Sequence, residues 1–133
     1  MTGPTAGYSG KPLPAKLGVR PTSRVLVAGA PAGFTLDCPH HVRAGREPYD
    51  IVLLFCPTVD VLRRKYATAY QRLTMAGALW VAWPKQASGV VTDIGEAAVR
   101  THALNHGLVD VKIVAIDDTW SGLKLVRRKT DRT

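Results

Sequence analysis

The fold turns on Asp50-Ile51-Val52-Leu53-Leu54-Phe55-Cys56-Pro57-Thr58, followed after an amphipathic interval by Gly77-Ala78-Leu79-Trp80-Val81-Ala82-Trp83-Pro84. Each is a short apolar run with no polar face, as expected of a strand buried on both sides of a parallel sheet. Proline lacks the N–H that a ladder needs, so Pro57 and Pro84 end the runs. Between them Thr58 suits a helix N-cap and Asp60 its first turn. Leu62, Tyr66, Ala69 and Leu73 recur at helical spacing, which predicts a helix to about Ala76, stopped at Gly77.

Working outward, Arg24-Val25-Leu26-Val27-Ala28-Gly29 reads as an earlier strand of the same kind. Pro14 to Leu17 suits one helical turn ended by Gly18. Residues 34–48 hold a helical turn after Pro31 and a short edge strand near His41 to Ala44. Past Pro84, a polar loop from Lys85 to Val91 leads to a helix capped at Thr92 or Asp93. Asp93 and Glu96 have capping-box spacing, and Gly107 closes that helix. Strands from Val111 to Ile116 and from Leu123 to Arg128 follow, joined by a turn over Asp117 to Gly122. Strands alternating with helices imply right-handed βαβ units. The expectation is an α/β fold: a doubly wound, Rossmann-like, mostly parallel sheet with an antiparallel C-terminal hairpin at its edge.

The chain has 133 residues, expected to form one domain over 13–129, with a loose segment at 1–12 and a tail at 130–133. Its 46% hydrophobic and 21% charged residues exclude a wholly disordered or collagen-like chain. The longest apolar run, Ile51 to Cys56, is far short of the roughly 18 residues that span a bilayer. No leader is visible at the start and two cysteines make no disulfide framework, so the expectation is a reduced cytoplasmic protein. The net charge is +8 but uneven: +5 over 1–46, −1 over 47–123 and +4 over 124–133. A positive field attracts polyanions, so a nucleic-acid partner is one reading and a solvated basic surface the other.

The order of elements resembles the class I methyltransferase fold, shortened, which also finishes on a helix, a strand and an antiparallel hairpin. Gly77-Ala78-Leu79-Trp80-Val81-Ala82-Trp83-Pro84-Lys85 is similar to the strand after the fourth crossover in those enzymes. The chain also resembles, from Tyr8 to Arg128, a family of small bacterial proteins forming a domain of unknown function. The shared pieces are Tyr8-Ser9-Gly10, Lys16-Leu17-Gly18, Leu79 to Lys85, Ser88-Gly89 and Thr119-Trp120-Ser121-Gly122-Leu123. The methyltransferase resemblance implies S-adenosylmethionine as a cofactor; the second resemblance implies no reaction.

Open α/β sheets bind ligands outside the carboxyl ends of their strands. The candidate ligand-binding residues on that rim are Gly29, Ala30, Gly33, Thr58, Lys85, Ser88, Asp117 and Trp120. Gly29-Ala30-Pro31-Ala32-Gly33 stands where a dinucleotide loop would, but it keeps only the outer glycines of G-x-G-x-x-G, and Pro31 removes an amide donor. Glu47 is the nearest acidic residue to hold a ribose. The alternative is an ordinary tight turn. Lys85, Gln86, Ser88 and Gly89 combine ammonium, hydroxyl and amides that suit an anion, or make a surface loop. Trp120-Ser121-Gly122 offers an aromatic wall, or packs at the sheet edge. Trp80 and Trp83 fall on opposite strand faces, so one of them is expected to line a groove or an oligomer interface.

Cys38, His40, His41 and Cys56 lack zinc-site spacing, so no metal is expected, and no G-x-S-x-G elbow supports serine catalysis. With no complete catalytic signature, three readings stand. The first is a non-catalytic binding or regulatory module for a small-molecule or anionic ligand, with a homo-oligomer possible. The others are an adenosylmethionine-dependent methyltransferase and a basic nucleic-acid-associated protein, none of them membrane-bound.

Overall fold

The structure is a computed structural model and describes residues 11–132. Most of the expected loose segment, residues 1–10, and Thr133 of the expected tail lie outside the described residues. Five strands form one sheet in the order β1-β2-β3-β5-β4: β1 Val25–Ala28, β2 Tyr49–Phe55, β3 Leu73–Pro84, β4 Leu108–Ala115 and β5 Trp120–Arg127. β1, β2 and β3 pair in parallel. β5 is antiparallel to both β3 and β4, so β4 runs with the first three strands. The fold is therefore α/β with a mixed sheet in which one strand alone is reversed. That strand is interior, and β4, not the expected antiparallel strand, forms the edge.

Three helices accompany the sheet: α1 Leu13–Leu17, α2 Val59–Gln71 and α3 Glu96–Leu104. Leu62, Tyr66 and Ala69 of α2 and Val99 and Ala103 of α3 join one buried cluster with Val52, Leu54, Leu79 and Val81. Both crossover helices thus lie on the same face, because right-handed crossovers that always advance in one direction along a sheet stay on one side of it. The second layer expected of a doubly wound sheet is reduced to α1 and the segment around Phe34, Leu36 and Cys38, packed on Val25, Leu53, Phe55 and Trp80. α1 is held there by two long-range bonds. Trp80 Nε1 donates to Leu17 O at 3.2 Å and Lys16 Nζ to Ala115 O at 3.2 Å. Gly18, at φ 83°, caps α1 in the left-handed region, as expected.

α2 begins as its sequence indicates, with Thr58 Oγ1 accepting from Val61 N at 3.2 Å. It ends at Gln71, short of Ala76, and Leu73 already pairs with Tyr49 in the sheet. The step from Tyr49 to Ile51 in β2 then faces the longer step from Leu73 to Ala78 in β3, so Thr74 to Gly77 bulge. Arg127 Nη1 donates to the bulge carbonyls of Thr74 at 2.8 Å and Met75 at 3.2 Å. Gly77 is thus a strand residue and not a helix stop. A Cβ on it would lie 3.0 Å from Tyr49 O and 3.1 Å from Thr74 O.

The second helix departs from expectation in the same way. α3 has Gly95 at its N-cap with no side-chain bond, and ends at Leu104 before Gly107. Asp93 caps the other helix instead, its Oδ1 accepting from Val59 N at 2.9 Å. The expected edge strand at His41 to Ala44 is one parallel bridge, with Val27 N donating to His41 O and His41 N to Val25 O, both at 2.8 Å. The helical turn expected after Pro31 is a single turn in which Phe34 N donates to Pro31 O. Trp120 to Gly122 belong to β5 and not to the turn before it.

Candidate functional site

The rim residues sit where the strand ends place them. Gly29, Ala30 and Gly33 follow β1, Thr58 follows β2, and Lys85 and Ser88 follow β3. Asp117 lies between β4 and β5, and Trp120 begins β5. One end of the sheet therefore carries all eight. The side-chain oxygens of Thr58, Ser88 and Asp117, however, bond within their own loops and caps.

Gly29 and Gly33 have φ of 74° and 85°, a conformation that favours glycine. A Cβ on Gly29 would stand 3.3 Å from Phe55 O, so the turn is pressed against the end of β2. No helix follows it: from Gly29 to Pro48 the chain makes turns and the His41 bridge, so no helix opens from this loop. Glu47 lies at the other end of the sheet, just before β2, where its carbonyl accepts from Arg24 Nη2 at 3.1 Å. It does not join Gly29.

Thr58 is occupied as the cap of α2. Ser88 Oγ donates to Lys85 O at 2.6 Å and accepts from Val90 N at 3.2 Å, and Lys85 N donates to Thr119 O at 2.7 Å. Asp117 Oδ1 accepts from Thr119 N at 2.8 Å and Trp120 N at 2.9 Å, the side-chain closure of an Asx turn. Trp120 is buried. Its ring meets Phe55 edge-on at 5.0 Å, and Phe55 meets Phe34 at 4.8 Å. Trp80 and Trp83 do take opposite faces, but both are buried, at 0% and 6% exposure, one in each half of the core. Neither offers the apolar surface expected of an interface.

The titratable groups nearby are likewise engaged in structure. Burial pushes the Cys56 thiol up to about 12, which makes it a neutral core side chain rather than a nucleophile. Burial, with Asp37 beside it, also raises Cys38. His41 Nδ1 bonds the Tyr49 hydroxyl and His40 Nδ1 the carbonyl of Cys38. Among the described residues no three His, Cys, Asp or Glu side chains converge as metal ligands, and no helix is long and apolar enough to cross a membrane.

Sequence reasoning missed Asp93, which reaches from the segment before α3 to the start of α2; its spacing to Glu96 pointed to the nearer helix. It also missed a cavity of about 610 Å³ at the opposite end of the sheet, lined by Leu17, Asp50, Ile51, Ala78, Lys124 and Val126 among others. Those residues come from four separate segments, and no local motif joins them.

No protein-family model matches the chain, and no curated protein matches it. Solved structures do. A chain in the crystal structure of a fibrillarin/Nop5p complex is 13% identical with a TM-score of 0.52, over 83% of this chain and 75% of that one. Fibrillarin has the class I methyltransferase fold. The likeness is one of fold, and it agrees with a truncated Rossmann-like sheet.

Proposed function

We propose that this chain is a non-catalytic binding module built on a shortened methyltransferase-like scaffold. The observation that carries the reading is the surroundings of the Gly29 to Gly33 turn. In a doubly wound sheet the strand order reverses at a switch point, and the ligand lies in the crevice opened there. Here β1, β2 and β3 advance in one direction, and the reversal beside β1 is reduced to the single His41 bridge on its outer edge. β1 is an outer strand whose free edge is closed by His41, and no helix opens from the turn after it. An adenosyl cofactor at this turn would lack a helix opening from its own loop, and Glu47 stands at the other end of the sheet. The Thr58 and Ser88 hydroxyls and the Asp117 carboxylate are spent in capping and turn bonds.

The fibrillarin structure is that of a complex with Nop5p, and this favours a macromolecular partner over a small substrate as the purpose of such a scaffold. Isothermal titration with S-adenosylmethionine and S-adenosylhomocysteine tests the proposal. No heat of binding at millimolar ligand is expected; a saturable isotherm with either compound overturns it in favour of an active methyltransferase.

A further inference from the structure

The second face of the sheet is incompletely covered. α1 crosses it over Trp80 and reaches Ala115 through Lys16. Beyond α1, toward the start of the parallel strands, no α-helix among the described residues lies on β3, β5 and β4, and the 3-10 turn over Lys129–Asp131 borders the gap through Arg132. The cavity of about 610 Å³ occupies this gap, within the roughly 300–1,000 Å³ usual for small-molecule sites. Its floor is apolar, built from Ile51, Ala78, Val111 and Val126. Val111 is 52% exposed there, large for a valine in a strand.

The charged groups of the groove are mostly cationic: Arg20, Lys124 and Arg132. The carboxylate that lines it, Asp50, is already engaged, accepting from Arg24 N at 2.8 Å and from the Thr74 hydroxyl. Lys124 is half-buried in β5 and stands directly opposite Lys112 of β4. Like charges in that cross-strand relation repel. Burial and Lys112 together push the Lys124 ammonium down from its usual value. Among the described residues neither lysine has a carboxylate partner. An apolar floor beside Lys124, with Lys112 paired to it across the strands just outside the lining, is complementary to a molecule with a hydrophobic body and an anionic head.

We infer that this groove binds an amphipathic anion, its apolar body on Ile51, Ala78 and Val126 and its carboxylate or phosphate at Lys124 and Lys112. The site is separate from the strand-end rim and does not depend on the reading given for it.

The test is calorimetric titration of the full chain with decanoate, decyl phosphate and decanol, each below its micellar concentration. One saturable site is expected for at least one anion, and the tighter of the two identifies the head group. Decanol is expected to bind about tenfold more weakly, the effect of losing one charge-assisted contact of roughly 1.5 kcal/mol. Lys124→Gln is expected to weaken the anion by about the same factor. Val126→Trp, which fills the floor, is expected to abolish binding while circular dichroism stays native. Arg63→Gln, on the far face, is expected to leave it unchanged. The inference is overturned if no anion saturates, if decanol binds equally well, or if Lys124→Gln binds like the wild type. Displacement of the bound anion by a short single-stranded RNA that itself binds Val126→Trp equally well also overturns it, since the surface would then be a charge-driven nucleic-acid face.

Discussion

Gly77→Ala probes the junction where helix reading and strand reading diverge. In the bulge between α2 and the rest of β3, a methyl at position 77 meets Thr74 Oγ1 at 2.9 Å, Tyr49 O at 3.0 Å and Thr74 O at 3.1 Å. Two of these atoms are backbone, and the Thr74 carbonyl is held by Arg127 at 2.8 Å. Relief therefore requires moving a strand. Overpacking of this sort costs about 1–3 kcal/mol, partly offset by about 0.4–1 kcal/mol from restricting the unfolded chain. A net loss of about 1–1.5 kcal/mol is expected, a fall in Tm of roughly 3–8 °C at this chain length. Gly89→Ala is the internal control. Gly89 has φ 79°, and a methyl added there would meet nothing within 4 Å, so only backbone strain opposes it. Urea unfolding followed by tryptophan fluorescence, with the slope m unchanged, gives both values. Gly77→Asn sharpens the comparison: asparagine is well tolerated after a helix end, whereas in the bulge it is expected to be at least as harmful as alanine. If Gly77→Ala leaves stability unchanged, or Gly77→Asn is the milder of the two variants at 77, the bulge assignment is wrong.

Trp80→Phe removes the donor to Leu17 O and leaves a buried carbonyl unpaired, so a loss of about 1–3 kcal/mol is expected in the same urea assay. Thiol titration in the native state is expected to modify Cys38 first, with Cys56 reacting at the rate of global unfolding. Because the native Cys56 pKa is raised from 9.0 to about 12, its contribution is complete below pH 9 and is lost as pH rises toward 12. Cys56→Ala is expected to flatten that alkaline limb of the stability profile. Asp110 is held below its ordinary value of 3.8 by the Arg100 hydrogen bond at 3.0 Å. Its contribution is therefore present above that value and lost as pH falls through the lower native one. Asp110→Asn is expected to reduce the acid dependence measured by denaturation between about pH 2 and 5, a window set by the carboxylate range.

The strands were legible because each is an apolar run punctuated by a residue with one physical meaning: Gly29 after β1, Pro57 after β2, Pro84 closing β3. Thr58 and Gly18 were legible for the same reason, since capping is local. What escaped the sequence was non-local. Leu73 fits both the apolar stripe of α2 and the first pair of β3, and helical periodicity does not distinguish a last turn from a first strand residue. Asp93 lies three residues before Glu96, but its partner is Val59, 34 residues away. The side on which each crossover packs follows from strand order, which no single segment encodes. The eight rim residues do gather at one end of the sheet, because strand ends are legible. What their polar groups bond to is not, since Thr58, Ser88 and Asp117 are of types that serve loops and caps as readily as ligands.

Under the proposed function, the Gly29 to Gly33 turn is structural and takes no adenosyl cofactor. Amide chemical shifts of the ¹⁵N-labelled chain, followed during titration with S-adenosylhomocysteine to millimolar concentration, test it residue by residue. The amides of Gly29, Ala30, Gly33 and Thr58 are expected to stay in place. Saturating shifts confined to those four amides would contradict it and restore the cofactor site.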